Sequence, residues 1–126
     1  MLQLNYRDAK PIYEQIKEGI RKLLITKVIA PDEKLPSVRE LASNLAINPN
    51  TIQRAYKELE AEGYLYSRQG KGTFAAATAV VQKSRANELF VTFDEVVTEL
   101  FVLDVTKEEL GLRMENLEKG RMREND

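Results

Sequence analysis

A mainly α fold carrying one small β hairpin is what this 126-residue sequence predicts, on the strength of three observations. Apolar residues recur at spacings of three and four in several separate stretches, which is the period of a helix with one buried face. A single segment, YLYSRQGKGTF, departs from that period and reads as two short strands around a glycine-rich turn. Two short helical stretches just before it are separated by only a few residues, which is helix-turn-helix spacing.

Residues 1–10 carry no clear period. Pro11 then opens a helix in which Ile12, Ile16, Ile20, Leu23 and Leu24 share a face, and VIAPDEKLP ends it near Thr26 with two prolines and an Asp. Leu35 is placed in a short edge strand. In PSVRELASNL, Ser37 and Glu40 form a capping box ahead of Val38, Leu41, Ala42 and Leu45. In NPNTIQRAYKELEAEGY, Asn48 caps a helix that begins with Pro49; its apolar stripe is Ile52, Ala55, Tyr56 and Leu59, and Gly63 is its C-terminal stop. Leu65 and Tyr66 precede the hairpin turn, and Thr73 and Phe74 follow it. AAATAV has little packing mass and marks a boundary, giving domains 1–76 and 77–126. Beyond it, Ala86, Leu89, Phe90, Phe93, Val96, Val97, Leu100 and Phe101 specify a long helix. Thr106 and Glu109 cap a last one, expected to fray in the charged tail GRMREND.

Composition removes several functional classes. The chain has no Cys and no His, so disulfides, thiolate chemistry, an imidazole base and the commonest zinc ligands are excluded; no cofactor, metal or catalytic residue is expected. Acidic pairs such as Asp94 and Glu95 are adjacent on a helix and point apart, which leaves them poorly placed for shared acid and base chemistry. No run approaches the roughly 20 apolar residues that span a bilayer, and MLQLNYRDAK lacks a signal peptide's apolar stretch, so a cytoplasmic protein without a membrane partner is expected. The net charge of −1 conceals an uneven distribution. Residues 1–75 carry 12 Lys and Arg against 9 Asp and Glu, net +3, and residues 76–126 carry 7 against 11, net −4. The front half is therefore the part suited to an anion.

From PIYEQI through LPSVRELASNLAINPNTIQRAYKELEAEGYLYSRQGKGTF, roughly residues 9–75, the sequence resembles the winged helix-turn-helix of GntR-type bacterial transcription regulators. The short tail resembles that of the YtrA-like subfamily, in which two C-terminal helices mediate dimerisation. The resemblance implies a winged helix-turn-helix followed by a two-helix dimerisation region. It also implies a regulator, with repression the expected sign, that binds an inverted-repeat operator in double-stranded DNA as a homodimer.

The polar face of the third helix then has a use. A B-DNA major groove admits one α-helix, and Asn50, Gln53, Arg54 and Lys57 supply donors and acceptors for base edges. Asn48 and Thr51 lie at the helix N-terminus, where phosphate is favoured. Arg39, early in the second helix, matches an arginine that contacts DNA in the family. In the wing, Gly70 and Gly72 permit a tight turn that projects Lys71, with Arg68 and Gln69 beside it, toward backbone or minor groove. In the tail, Leu89, Phe90, Phe93, Val96, Val97, Leu100 and Phe101 form the expected dimer interface, since Val91, Val102 and Val105 make the helix apolar around more than one neighbour covers. The tail shows no obvious pocket, and no effector is assigned. The competing reading is a winged helix that docks a protein and reads no DNA sequence.

Overall fold

The computed structural model describes residues 2–124. In these residues the chain forms α1 (Ile12–Ile25), α2 (Val38–Leu45), α3 (Pro49–Ala61), β1 (Leu65–Arg68), β2 (Gly72–Ala75), α4 (Thr78–Val102) and α5 (Lys107–Glu124). It divides into two compact units, one ending at Asn87 and one beginning at Glu88.

In the first unit, Pro11 stands at the N-cap of α1, and its carbonyl accepts the N–H groups of Glu14 and Gln15. Its fixed φ suits a helix start, and its missing N–H costs nothing there. Ile16, Ile20 and Leu24 turn inward, and Thr26 caps the C-terminus. Residues without a clear period turn out to matter: Leu2 and Leu4 pack against the core, and Gln15 exchanges hydrogen bonds with the backbone of Asn5 at 2.8 and 2.9 Å. Gly19 leaves room for Leu2, because a Cβ there would run into the leucine side chain.

Ser37 Oγ accepts the Glu40 N–H at 3.1 Å and starts α2. The turn between α2 and α3 passes through Ala46 in the left-handed region, φ 54°, whose N–H returns to α2, while Ile47 N–H bonds the Ala42 carbonyl. Asn48 Oδ1 accepts the Asn50 N–H at 2.8 Å and Pro49 takes the first helical position of α3. On α3, Ile52, Ala55, Tyr56 and Leu59 are all buried. The Tyr56 hydroxyl donates to the Pro36 carbonyl at 2.7 Å, tying α3 to the entrance of α2.

The wing is the antiparallel pair β1–β2, in register from Leu65 opposite Ala75 to Arg68 opposite Gly72. The segment before α2 joins its other side. Lys34 bridges Phe74, Asp32 N–H bonds Ala75 O, and Leu35 N–H bonds Thr73 O, so Leu35 lies beside the sheet, but the single bridge is at Lys34 and the expected edge strand does not form. Tyr66 stacks on Phe74, with ring centroids 5.5 Å apart. The first unit continues past residue 76, the boundary the sequence suggested. Small residues here permit close packing: Ala75, Ala76 and Val81 are core residues, and α4 already begins at Thr78.

In the second unit, α4 ends in a turn through Asp104, whose φ is 64°, and Thr106 Oγ1 accepts the Glu109 N–H at 3.1 Å to start α5. The charged end of α5 stays helical to Glu124 instead of fraying, with Arg121 and Arg123 in its last turn, where cations suit the dipole; Asn125 and Asp126 lie outside the described residues. Leu89, Phe90, Phe93, Val96 and Phe101 are exposed, while Val97 and Leu100 are half-buried. Phe90 meets Phe93 edge to face at 6.5 Å.

Candidate nucleic-acid interface

The inward stripe of α3 leaves the opposite face to Asn50, Gln53, Arg54 and Lys57, and all four are exposed. Arg39 is exposed in the first turn of α2. Asn48 is exposed at the start of α3, and Thr51, one turn along, is half-buried. Asn48 uses its side-chain oxygen as the helix cap, so that atom serves the fold.

The wing turn runs through Gln69, Gly70 and Lys71, closed by the Lys71 N–H on the Arg68 carbonyl at 2.9 Å. Gly70 and Gly72 have φ of 75° and 113°, values that favour glycine at both positions. Gly72 has a second reason to lack a side chain. A Cβ there would stand 2.9 Å from Cε of Lys34, whose aliphatic stem lies across the wing at this point. Lys34 thereby joins Arg68 and Lys71 as a basic residue at the wing, a member that sequence reading missed because it belongs to the α1–α2 connection. The Arg68 guanidinium lies 5.8 Å from the Tyr66 ring centroid, and Tyr66 in turn donates to Asp32 at 2.9 Å.

Arg54 is the residue whose surroundings differ most from expectation. Its guanidinium carbon stands 3.5 Å over the ring centroid of Tyr13 on α1, and its Nε donates to Glu58 at 3.0 Å. Glu58 also accepts from Lys17 Nζ at 3.0 Å, and Lys17 reaches Glu62 at the same distance. Lys17 is only 9% exposed. Burial alone pushes its pKa down, but the hydrogen bonds to Glu62 and Glu58 outweigh this and hold the ammonium above its usual value. Glu58 is held below the usual carboxylate range by Lys17 first and Arg54 second. Arg54 is thus both exposed and engaged with two helices. The Arg54–Glu58 spacing of i, i+4 was visible in the sequence; the partners on α1 were not. Among the described residues no group of acidic side chains is arranged to hold a metal ion, and no helix is long and apolar enough to cross a membrane.

Residues 12–75 match the family described as bacterial regulatory proteins, gntR family. The chain belongs to the GntR family. Among its relatives, the HTH-type transcriptional repressor YtrA of Bacillus subtilis is 46% identical over 63% of this chain, and the match spans 61% of that protein. The transcriptional regulator YhcF of the same organism is 42% identical over 91% of this chain and 90% of its own length. A crystal structure of a transcriptional regulator from Oenococcus oeni superposes with a TM-score of 0.70 at 35% identity, covering 93% of this chain and 98% of that one. AraR(DBD) in complex with operator ORR3 has a TM-score of 0.52 and 38% identity, covering 59% of this chain and 89% of that one. The winged helix-turn-helix with a helical C-terminal region is therefore a fold shared with transcription regulators of this family.

Proposed function

We propose that this GntR-family regulator is a repressor that binds an inverted-repeat operator as a homodimer and acts in the cytoplasm. The observation that carries the reading is the division of α3: its four apolar residues are buried, while Asn50, Gln53, Arg54 and Lys57 are exposed together. A helix that presents hydrogen-bonding side chains on its free face, next to an exposed basic wing, fits the major groove with its wing on the flanking backbone. Asn50, Gln53, Arg54 and Lys57 read base edges. Arg39, Thr51 and the cap at Asn48 position the domain on phosphates. Arg68, Gln69, Gly70, Lys71 and Gly72, with Lys34, form the wing contact. That AraR(DBD) was crystallised with an operator supports this use of the fold.

The tail supports the dimer. Leu89, Phe90, Phe93, Val96 and Phe101 expose a large apolar surface that water does not favour, and a second copy covers it, with Val97 and Leu100 at its margin. Two-fold symmetry in the protein calls for two-fold symmetry in the DNA, hence inverted half-sites.

The test is selection of bound sequences from random double-stranded DNA by the full chain, followed by competition against scrambled DNA. A recovered motif with two inverted halves and an affinity that falls steeply with salt is the expected result. Recovery of no motif, with affinity indifferent to sequence, would favour the protein-docking alternative.

A further inference from the structure

We infer that Glu58 and Tyr13 are positioning residues for Arg54, so that α1 fixes the orientation in which the arginine of α3 meets DNA. The inference rests on the reading of α3 as the DNA-facing helix.

Its basis is geometric. A guanidinium has five N–H donors in one plane, one on Nε and four on the two terminal nitrogens. Here the Nε donor is taken by Glu58, and one face of the plane is covered by the Tyr13 ring at 3.5 Å. The side chain nonetheless stays 59% exposed. What is left for a ligand is the end-on edge of the fork, the edge that pairs with two acceptors side by side, as guanine or a phosphate presents them. Glu58 is itself held. It accepts from Lys17, which is buried in α1 and also bonded to Glu62, so the carboxylate that aims Arg54 is anchored in the first unit. A free arginine on a helix surface loses rotamer entropy when it binds, whereas one stacked and hydrogen-bonded beforehand has already lost much of it.

The same arrangement has an electrostatic side. Lys17, Arg54, Glu58 and Glu62 contribute two positive and two negative charges, so the arginine is locally neutralised. Orientation is gained at the expense of general attraction to phosphate. Glu58→Gln removes the charge and leaves one acceptor oxygen where Lys17 and Arg54 now use two, so the amide can no longer hold both. It should raise affinity for unrelated DNA while lowering discrimination between the operator and a variant altered at the base pair Arg54 reads. A purely structural role for Glu58 would lower both together.

The experiment measures operator and single-base-variant binding by the full-length protein, using an operator first selected with the wild-type chain, for Glu58→Gln, Tyr13→Leu and Tyr13→Phe. Each is made with Arg54 present and again with Arg54→Ala. Thermal unfolding of every variant confirms the fold. With Arg54 present, Glu58→Gln and Tyr13→Leu should each reduce discrimination by about 5- to 10-fold, within the span of one bidentate base contact, and Tyr13→Phe should retain it because the ring remains. With Arg54→Ala in place, the same changes should have no further effect on discrimination, as expected for residues acting through one partner. Losses of equal size in both backgrounds, or no loss in either, would overturn the positioning role. An Arg54→Ala protein that discriminates like the wild type would also overturn it, while leaving the DNA-reading function intact. A wild-type chain that selects no motif would instead defeat the underlying reading, and the inference with it.

Discussion

Tyr56 offers a prediction in which the sign of a mutational effect reverses with pH. Its hydroxyl donates to the Pro36 carbonyl at 2.7 Å, and burial first, then the Glu40 carboxylate, pushes its pKa from 10.0 up to about 12. Removing the hydroxyl in Tyr56→Phe leaves that carbonyl without this donor, which should cost about 1 kcal/mol at neutral pH. The wild type carries a liability that the variant lacks. A phenol whose folded pKa is raised contributes stability fully present below pH 10, the unfolded value, and lost as pH climbs toward 12. With about 1.36 kcal/mol per unit, the loss is roughly 1.4 kcal/mol at pH 11 and approaches 2.7 kcal/mol at higher pH. Contributions common to both proteins cancel in the difference. Urea unfolding followed by circular dichroism, at one protein concentration, should therefore show the variant weaker at pH 7, the two proteins about level near pH 11, and the variant ahead above that. A stability difference that stayed constant across this range would refute the view that burial keeps this phenol protonated.

Phe93→Asp should convert the proposed dimer to monomer at micromolar concentration, read by sedimentation; an unchanged dimer would place the interface elsewhere. Lys71→Ala should weaken binding to operator and unrelated DNA alike and lower the salt slope by about one for each phosphate the variant no longer neutralises, as titrations at several salt concentrations would show. Ser37→Ala removes the acceptor for the Glu40 N–H and should cost about 1 kcal/mol in urea unfolding, while Ser37→Thr, which keeps an oxygen, should lose less.

Much of the DNA-binding unit is legible in the sequence because its boundaries are set by local chemistry. Pro11, Ser37, Asn48 and Pro49 act within a turn of where they stand, and the observed helices start beside them. The apolar stripe of α3 is equally local, since a period of 3.6 fixes which residues share a face. The turn at Ala46 was less legible, for no glycine or asparagine announces its left-handed backbone, and tertiary packing has to hold it there. The surroundings of Arg54 were hidden for a different reason. Tyr13 and Lys17 lie on another helix, and only packing brings them to α3. The contact-defined first unit extends to Asn87, and at 75–79 alanines that look too light to matter become core when neighbours come close, as Ala75 and Ala76 do.

The sheet behind the wing has a thermodynamic consequence. β2 is hydrogen-bonded on one side to β1 and on the other to the residues that lead into α2, through Asp32, Glu33 and Leu35. That strand is therefore held on both sides within the unit, and the tip at Gln69, Gly70 and Lys71 is closed by the Lys71 N–H on the Arg68 carbonyl. Fixing one residue's backbone costs about 1–2 kcal/mol, so ordering a tip is far less costly than ordering a whole hairpin. If the wing meets DNA as proposed, a heavily tethered wing would let a small number of basic contacts yield net affinity instead of being consumed in folding the element that bears them.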